Sequence, residues 1–373
     1  MEARPLETPL TVSEVNDRAG FVALGPEWEA LVQGCDDQLF YHHDLLRIWI
    51  DNFIPAGRLR VLLVRDRAGT LVGALPLYEG RDFLFGVPVR KLASTANAHS
   101  CRFDLLARAP VEVARELMSY LRADRSWDVL MLTDLPEAGA GWSMHEAAHE
   151  LGLPVGRWPS LNSPYVELPS TYEALAARLH NKFKANCRRR RRKLEEKGRV
   201  EFEKVRGGDA LEARLEEGFL LEQSGWKGEN GTAMAQAEAT RGFYSELARA
   251  AQHAGRLSLS FLRLDRRAVA FHFALEHQGR YLLLKPGYDE ALSDCSPGQL
   301  LMENVAADCI ARGLFELDFL GPDMVWKRDW TGRVRPHAWL YVFRDTPLGR
   351  ALAQAKFRWV PAAKRVVARW RKP

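Results

Sequence analysis

The sequence predicts a mixed α/β fold, made of two tandem domains of the same type and a basic C-terminal helical tail. Its 373 residues exceed one ordinary domain and suit two. Hydrophobic residues make up 47% and charged residues 27%, so each domain has enough apolar side chains for a core. A weak internal repeat indicates that one domain is a copy of the other.

The repeat begins with a predicted β-hairpin in each half. The first is Arg58–Gly80 and the second is Arg256–Gly279. Both alternate in polarity and are rich in β-branched or aromatic side chains, and Asp66–Gly69 and Asp265–Arg267 supply the turns. This pattern is typical of antiparallel strands joined by a short turn.

Each hairpin is followed by more strand, a helix and a last strand. Apolar residues at helical spacing predict helices over Pro110–Arg122 and Pro297–Arg312. The last strands are Trp127–Pro136 and Leu314–Asp323, and a long helix over Thr171–Lys197 is expected to bridge the halves. Hairpins combined with crossover helices favour a mixed sheet with helices on both faces.

These elements predict an N-terminal domain over residues 1–165, a second domain over 166–345 and a tail over 346–373. The first domain lacks a glycine turn before its crossover helix and has Ala-Arg-Ala-Pro there. It is therefore interpreted as a degenerate copy that builds the acceptor cleft. The second domain is expected to hold the working site.

Composition argues against several classes of protein. The N-terminus lacks a basic start followed by an apolar run, and no stretch approaches about 18 apolar residues, so neither a signal peptide nor a spanning helix is predicted. The five cysteines are scattered without a CxxC pair, which argues against a disulfide framework or a zinc site. We expect a cytoplasmic protein, with association to a membrane left open.

Two basic segments stand out from an acidic remainder. Arg178–Arg199 holds eleven Lys and Arg against two Glu, a net charge of +9. The segment from Arg344 to the end holds nine Lys and Arg against Asp345, a net charge of +8. This asymmetry predicts an anionic partner, which is a phosphate-bearing substrate, a nucleic acid or a membrane surface.

Four segments of the second half, in their order, resemble the GNAT acyltransferase superfamily. They are His180–Gly198, Glu222–Ala233, Tyr281–Gly321 and Asp323–Thr331. Within it the whole chain resembles the bacterial double-domain group associated with cellulose or exopolysaccharide biosynthesis (CelD-type), which is similar to the Fem-type aminoacyltransferases of peptidoglycan synthesis. The resemblance implies two tandem GNAT-like domains and transfer of an acyl group from acyl-CoA.

The donor's phosphates are expected where the second crossover helix opens, at Ser296, Pro297, Gly298 and Gln299. Free N–H groups at a helix start attract phosphate, and glycine permits close approach. A helix cap by Ser296 is the alternative. Classical GNAT enzymes carry Gln/Arg-x-x-Gly-x-Gly/Ala here; this chain departs from that pattern, which leaves aminoacyl-tRNA open as the donor.

Five consecutive arginines, residues 188–192, cover the whole circumference of a helix. Because the apolar stripe of this helix continues from Cys187 to Leu194, Arg190 or Arg191 must interrupt it. An inward arginine needs a carboxylate or an anionic ligand. A phosphate of the donor or substrate, an acidic side chain of the protein and a nucleic acid are the three alternatives.

His272 is a hypothetical general base, because it lies within a strand and titrates near neutrality. Asp318, in another apolar strand, is the carboxylate proposed to orient it. The alternatives are a satisfied core histidine and a salt bridge from Asp318 to a helix arginine. Tyr288 is placed to protonate a leaving thiolate, Lys285 to hold a phosphate or carboxylate, and Asp289 to contact substrate; loop hydrogen bonding is the alternative for all three.

Glu222, Trp226 and Lys227 combine charge with an aromatic ring at one helix end, which suits a sugar or amine acceptor. A helix end packed by Trp226 is the alternative. The resemblance to Fem-type proteins adds Lys327, the lysine after the last core strand, as a contact to donor or acceptor.

The tail mixes apolar and aromatic side chains with its bases, which predicts an amphipathic helix at a membrane interface. Because Pro361 interrupts it, two short helices packed on the body are the alternative. Three functions follow as hypotheses: transfer from acyl-CoA to a hydroxyl or amine of a saccharide or lipid-linked intermediate, transfer from aminoacyl-tRNA, and a non-catalytic scaffold of polysaccharide assembly. None needs a metal.

Overall fold

The computed structural model describes residues 9–223 and 237–363. They form two compact units. The first unit consists of two chain segments, one that ends at Leu161 and one that begins at Pro336. The second unit is the segment between them, Asn162–Arg335. Strands β7 (Val155–Glu167) and β13 (Val334–Phe343) cross these boundaries.

The first unit is a mixed sheet with helices. Its remaining elements are β1 (Thr11–Val15), α1 (Arg18–Ala23), α2 (Gly25–Gln33), α3 (His43–Phe53), β2 (Leu59–Arg65), β3 (Leu71–Leu84), β4 (Val87–Ser94), β5 (Leu106–Ala107), α4 (Pro110–Ala123), β6 (Val129–Pro136) and α5 (Trp142–Glu150). The strands follow the order β1-β2-β3-β4-β6-β13, with β4 and β6 parallel. Because β13 pairs with β6 from His337 onward, the chain re-enters this unit before the expected boundary at residue 345.

The second unit is also a mixed sheet with helices. Its elements are α6 (Tyr172–Arg178), α7 (Asn181–Glu195), β8 (Val200–Val205), α8 (Leu211–Gln223), α9 (Glu238–His253), β9 (Leu257–Leu264), β10 (Arg267–His277), β11 (Arg280–Tyr288), a 3₁₀ helix (Glu290–Cys295), α10 (Pro297–Ala311), β12 (Glu316–Asp318) and α11 (Val325–Arg328). The strands follow the order β12-β11-β10-β9-β8, with β11 and β12 parallel. The predicted mixed α/β class is confirmed.

Both predicted hairpins are confirmed as the antiparallel pairs β2–β3 and β9–β10. In the second hairpin, Asp265 and Arg266 have φ angles of +48° and +70°. Two left-handed residues in succession are what a two-residue turn between twisted strands requires. Each hairpin leads into a strand, a crossover helix and a parallel strand, β4-α4-β6 in one unit and β11-α10-β12 in the other.

The single helix predicted over Thr171–Lys197 is wrong, because the chain breaks between α6 and α7. Leu179 and His180 have extended backbone, with ψ angles of 146° and 136°. His180 Nδ1 then accepts a hydrogen bond from the Lys182 N–H at 3.3 Å and caps α7. The predicted apolar stripe is buried on both sides of the break, from Leu175 to Leu194.

Strand β10 lies between two packed layers. Ala270 and Ala274 belong to the buried cluster that contains the apolar residues of α10, so this side of the strand faces α10. Phe271 and Phe273 point to the other side, where the rings of Phe273 and Tyr244 of α9 lie 5.1 Å apart between centroids. This alternation determines which predicted site residues can meet.

The tail packs on the first unit as far as the structure describes it. Helix α12 (Pro347–Gln354) continues into a π-helical turn at Ala355–Trp359, and the helix carries on through Pro361. The predicted interruption at Pro361 is therefore a local distortion, which a proline without an N–H commonly causes. Among the described helices, none has the length and apolar character to cross a bilayer.

An ion-pair network of five residues, Lys204, Arg206, Glu276, Asp308 and Arg312, joins β8, β10 and α10. Glu276 accepts hydrogen bonds from Lys204 at 2.9 Å and from Arg312 at 2.8 and 2.9 Å, and Asp308 accepts from Lys204 at 2.6 Å. Burial by itself raises the pKa of Glu276, but these hydrogen bonds outweigh it and hold the pKa at about 2. The carboxylate therefore stabilises the folded state while it is ionised.

Replacing Glu276 with Gln is expected to lower the free energy of unfolding at pH 7 by about 2 kcal/mol, after discounting for solvent screening. Since the folded pKa lies below the usual value of 4.5, this stabilisation is present above about pH 4.5 and is lost as the pH falls towards about 2. Urea unfolding between pH 7 and pH 3 measures both effects.

Glu212→Gln is the matched control, because Glu212 pairs with Arg249 where both side chains are more than half exposed. We expect that change to cost less than about 0.5 kcal/mol. Equal losses for the two variants would contradict a special role for Glu276.

Candidate functional site

The parallel strands β11 and β12 part early, which leaves an opening at their carboxyl ends. They pair over Arg280–Leu282 and Glu316–Asp318. Strand β11 then continues to Tyr288, whereas β12 ends at Asp318. In open α/β sheets, ligands bind outside the carboxyl ends of the strands. We call this space the β11–β12 opening.

The first turn of α10 lies beside this opening. Ser296 has a left-handed φ of +46°, and its Oγ donates to the Ser293 carbonyl at 3.2 Å. Ser296 occupies the N-cap position before Pro297, as the predicted alternative has it, but no side chain of the described residues caps the first turn of α10. Pro297 is buried and has no N–H, which leaves the Gly298 N–H as the donor without an acceptor in the described chain.

Gln299, predicted to bind the donor, has other hydrogen-bond partners. Its N–H donates to the Ser296 carbonyl at 3.0 Å. Its side chain donates to the Trp326 carbonyl at 3.3 Å and accepts from the Trp330 indole N–H at 2.6 Å. Gln299 therefore positions the chain after β12 against α10. This structural role replaces the predicted contact between Gln299 and the donor.

Tyr288 lies against Gly298, and its predicted role as proton donor to the thiolate stays a prediction. A Cβ atom added to Gly298 would lie 3.5 Å from Cδ1 of Tyr288, so the phenol ring stands against the first turn of α10. Asp289 does not face this space. Its carboxylate caps the 3₁₀ helix through the Ala291 N–H at 3.0 Å and pairs with Arg267 at 2.7 Å, which makes it a structural residue rather than a substrate contact.

The strand register keeps His272 and Asp318 apart. His272 lies opposite Pro286 of β11, whereas Asp318 lies beside Leu282 on the far side of that strand. The two side chains also point to opposite faces of the sheet, so the hypothesis that Asp318 orients His272 is wrong. The register instead makes His272 and Tyr288 diagonal neighbours, about 7–8 Å apart.

His272 is 2% exposed on the face covered by α10. Its Nδ1 lies 3.5 Å from the Tyr281 hydroxyl. Burial raises the pKa of that phenol well above its usual value, so it stays protonated and can donate to the imidazole. This arrangement fixes the ring orientation and leaves the role of His272 as a base a prediction.

Asp318 and Lys327 hold the chain that leaves β12. The carboxylate of Asp318 accepts from the Leu320 N–H at 2.9 Å and from Arg335 of β13 at 3.0 Å, so its partner is a strand arginine rather than the predicted helix arginine. Lys327 is 4% exposed, and its ammonium group donates to the carbonyls of Leu320 at 2.5 Å and Pro322 at 2.8 Å. Lys327 therefore orders this segment, which corrects its predicted role as a substrate contact.

Lys285 and Glu222 share the other face of β11, towards α8 and α9. Lys285 is 9% exposed, with its ammonium nitrogen 5.8 Å from the centre of the Tyr244 ring. Glu222 approaches closely because a Cβ on Gly287 would lie 2.9 Å from the Glu222 Cα. Their binding roles stay predictions, and Trp226 and Lys227 lie outside the described residues.

The two inward arginines of the run, Arg190 and Arg191, differ in their partners. Arg191 donates to Glu303 of α10 at 2.8 Å, and Glu303 also accepts from the Tyr172 hydroxyl at 3.0 Å. Arg190 is half-buried and has no ion pair among the described residues. It lies near Asp329, whose pKa is raised by burial and partly lowered by that guanidinium. Arg191 therefore fits the alternative in which an inward arginine pairs with an acidic side chain of the protein. For Arg190, binding of an external anion stays a prediction.

Glu303 and Trp330 are positioning residues that sequence reasoning missed. A signal was present, since Gln299 and Glu303 stand four residues apart on a largely apolar helix and so share one face. That face carries the polar contacts to α7 and to the chain after β12.

Comparison with known proteins identifies the class of the second unit. Residues 181–328 match the family model described as an acetyltransferase (GNAT) domain. This span runs from α7 to α11 and includes the β11–β12 opening. The chain therefore contains a GNAT-type acetyltransferase domain. No curated protein matches the sequence.

Solved structures share the fold over nearly the whole chain. The crystal structure of FemX matches with a TM-score of 0.57 and 11% identity, covering 88% of this chain and 98% of that one. The C-terminal domain of a proposed lysylphosphatidylglycerol synthetase from Agrobacterium fabrum matches at 0.52 and 12%, covering 91% and 96%. L-PGS from Bacillus licheniformis matches at 0.51 and 12%, covering 88% and 94%. At these identities the likeness concerns the fold alone.

Arg191→Ala and Arg190→Ala form a matched pair for testing this division of roles. Losing Arg191 leaves Glu303 partly buried without its cation, so we expect the free energy of unfolding to fall by about 1–2 kcal/mol. Losing Arg190 should change it by less than about 0.5 kcal/mol. Chemical denaturation of both variants measures the difference, and equal destabilisation would contradict the assignment.

Proposed function

We propose that the chain is an acyltransferase that moves an acyl group from acyl-CoA to a hydroxyl or amine of a saccharide or lipid-linked cell-envelope intermediate. The GNAT-type domain supports the reaction class. The similarity to the CelD-type double-domain group, and with it a place in exopolysaccharide biosynthesis, is part of this proposal.

One observation carries the choice of donor site. The uncapped first turn of α10, with Gly298 as its second residue, lies at the carboxyl end of β11, where that strand has parted from β12. The free Gly298 N–H and the helix dipole there favour a phosphate of a CoA donor. Arg190, half-buried on the neighbouring α7, supplies a guanidinium for the same anion.

In the proposed reaction the acceptor's oxygen or nitrogen attacks the thioester carbonyl carbon, and the carbon–sulfur bond breaks. The acceptor loses a proton and the departing thiolate gains one. We assign Tyr288, which lies beside Gly298, as the donor of a proton to the thiolate. We assign His272, its diagonal neighbour, as the base that removes a proton from the acceptor. Positioning contributes most, on the order of 7–11 kcal/mol.

Acceptor binding is assigned to the other face of β11. Glu222 and Lys285 lie there on the side of α8 and α9, away from the first turn of α10. A donor on one side of β11 and an acceptor on the other meet where the strand ends. Trp226 and Lys227 are proposed to complete the acceptor wall.

Transfer from aminoacyl-tRNA is the second candidate, and the surface of α7 favours it. Arg188, Arg189 and Arg192 are exposed and have no ion pair among the described residues. Such a surface suits a nucleic-acid backbone, with an affinity that falls steeply with salt. The fold is also shared with FemX.

Titration calorimetry of the full chain with acetyl-CoA, a longer acyl-CoA and charged tRNA separates these functions. Binding of either CoA ester supports the first proposal. Salt-sensitive binding of charged tRNA alone supports the second, and the absence of binding to all three would leave the scaffold hypothesis.

Gly298→Asp is expected to weaken acyl-CoA binding at least tenfold. The new carboxylate repels the donor's phosphates, yet in the first turn it interacts favourably with the helix dipole, by about 0.3–1 kcal/mol. Stability and affinity should therefore change in opposite directions. Thermal unfolding and calorimetry measure the two quantities.

Val111→Asp is the matched control, because Val111 follows the proline that opens α4 in the first unit just as Gly298 follows Pro297. It should leave acyl-CoA binding unchanged. Loss of binding in both variants, or in neither, would contradict the α10 site.

His272→Ala is expected to abolish turnover with little change in acyl-CoA affinity, because a base acts in the chemical step. Single-turnover rates over a range of pH provide the measurement. An unchanged rate in the variant would contradict a role for His272 as the base and indicate that it is a core residue. It would not contradict the proposed donor site.

A further inference from the structure

The β3–β4 hairpin of the first unit extends past the strands on either side of it. Strand β2 accompanies β3 as far as Leu59 opposite Tyr78, and β6 accompanies β4 from Lys91 onward. The two hairpin strands stay paired with each other up to Leu84 opposite Val87. Residues 81–90 therefore form a two-stranded arm about 14 Å long, with no further strand beside it in the described chain.

The tip of this arm is apolar and faces water. Phe83 is 70% exposed and Phe85 is 51% exposed, while Pro88, opposite Phe83, is exposed as well. The turn is formed by Phe85 and Gly86, with φ angles of +54° and +82°. Two phenylalanine rings at the end of a projecting arm are unlike the scattered apolar residues of an ordinary surface.

Positive charge lies directly behind the rings. Arg81 and Arg90 are cross-strand partners on the same face of the arm as Phe83. Arg90 pairs with Asp128 at 2.7 Å, whereas Arg81 has no ion pair among the described residues. Like charges placed opposite each other destabilise a hairpin, so an external anion at this position would stabilise it.

The start of the C-terminal tail packs against the same buried cluster as the arm, on the face opposite Phe83 and Arg81. On the other face of the arm, Leu84 and Val87 belong to the cluster that contains Phe357. Next to Phe357 stand Arg358, which is exposed, and Trp359, which is 65% exposed. The arm and the start of the tail thus each carry an exposed aromatic ring and an exposed arginine.

We propose that residues 81–90 and the start of the tail form a docking surface for an anionic lipid bilayer. Phe83 and Phe85 enter the boundary between headgroups and acyl chains, and Arg81 and Arg358 contact the lipid phosphates. Aromatic rings at the headgroup level with arginines beside them are the pattern of interfacial anchors. This inference does not depend on the proposed acyl transfer.

The shape and charge of the surface favour a bilayer over a protein partner. A narrow projecting tip buries little area on a protein, where a stable interface needs about 1,600 Å² in total. An arginine without a protein carboxylate is complementary to an anionic surface, which is worth about 1 kcal/mol for each basic residue near it. Self-association through the arms is the outcome to be distinguished.

The test is sedimentation of the full chain with vesicles of phosphatidylcholine alone or with about one third phosphatidylglycerol. We expect binding to the anionic vesicles that weakens with salt and falls at least tenfold in the double variant F83S/F85S. Arg81→Glu should lower it by about fivefold or more, the change that about 1 kcal/mol produces.

Val22→Ser is the matched control, since Val22 is a 52% exposed apolar residue elsewhere in the first unit. It should bind to the vesicles like the unmodified chain, and all variants should keep the melting temperature of that chain. Equal vesicle binding by every variant would overturn the proposal. So would the absence of vesicle binding together with a self-association that F83S/F85S abolishes.

Discussion

The early parting of β11 from β12 is the constraint on which the candidate site depends. Where a strand loses its neighbour, its backbone groups need other partners, because buried N–H and C=O groups are rarely left unpaired. Asp318 supplies an acceptor for the Leu320 N–H, and Lys327 supplies donors for the carbonyls of Leu320 and Pro322. These side chains permit β12 to end after three residues, and without them the opening would lack a stable wall.

The position of α10 relative to this opening depends on polar contacts along one of its faces. Apolar burial holds a helix against a sheet but tolerates small rotations, whereas hydrogen bonds fix direction. Gln299 bonds to the chain after β12, and Glu303 bonds to Arg191 of α7 and to Tyr172 of α6. The first turn of α10 is thereby oriented from two sides, so its amide direction is preorganised before any ligand binds.

Local sequence patterns predicted the strands and helices of the fold. Which side chains meet in the candidate site depends on strand pairing between distant parts of the sequence. Hairpins, crossover helices and the repeat follow from periodicity and turn residues, which act over a few positions. The break at Leu179–His180 carries no glycine or proline and escaped detection. His272 and Asp318 were paired in error because strand adjacency and face are set by register, which one strand's sequence does not contain. Arg335 was missed for the same reason, whereas Glu303 was missed because its partners lie on other helices.

The corresponding opening differs between the two units, and this difference is a reason to place the proposed donor site in the second. In the first unit the parallel strands β4 and β6 likewise pair over a short stretch, Lys91–Ala93 with Val129–Met131. Strand β4 then ends at Ser94, whose hydroxyl lies 2.9 Å from that of Thr133 and accepts from its N–H at 3.0 Å. A side chain thus bridges the gap that β11 and β12 leave open. Two units can share their order of elements while one hydrogen-bonded pair closes in the first the place that stays open in the second.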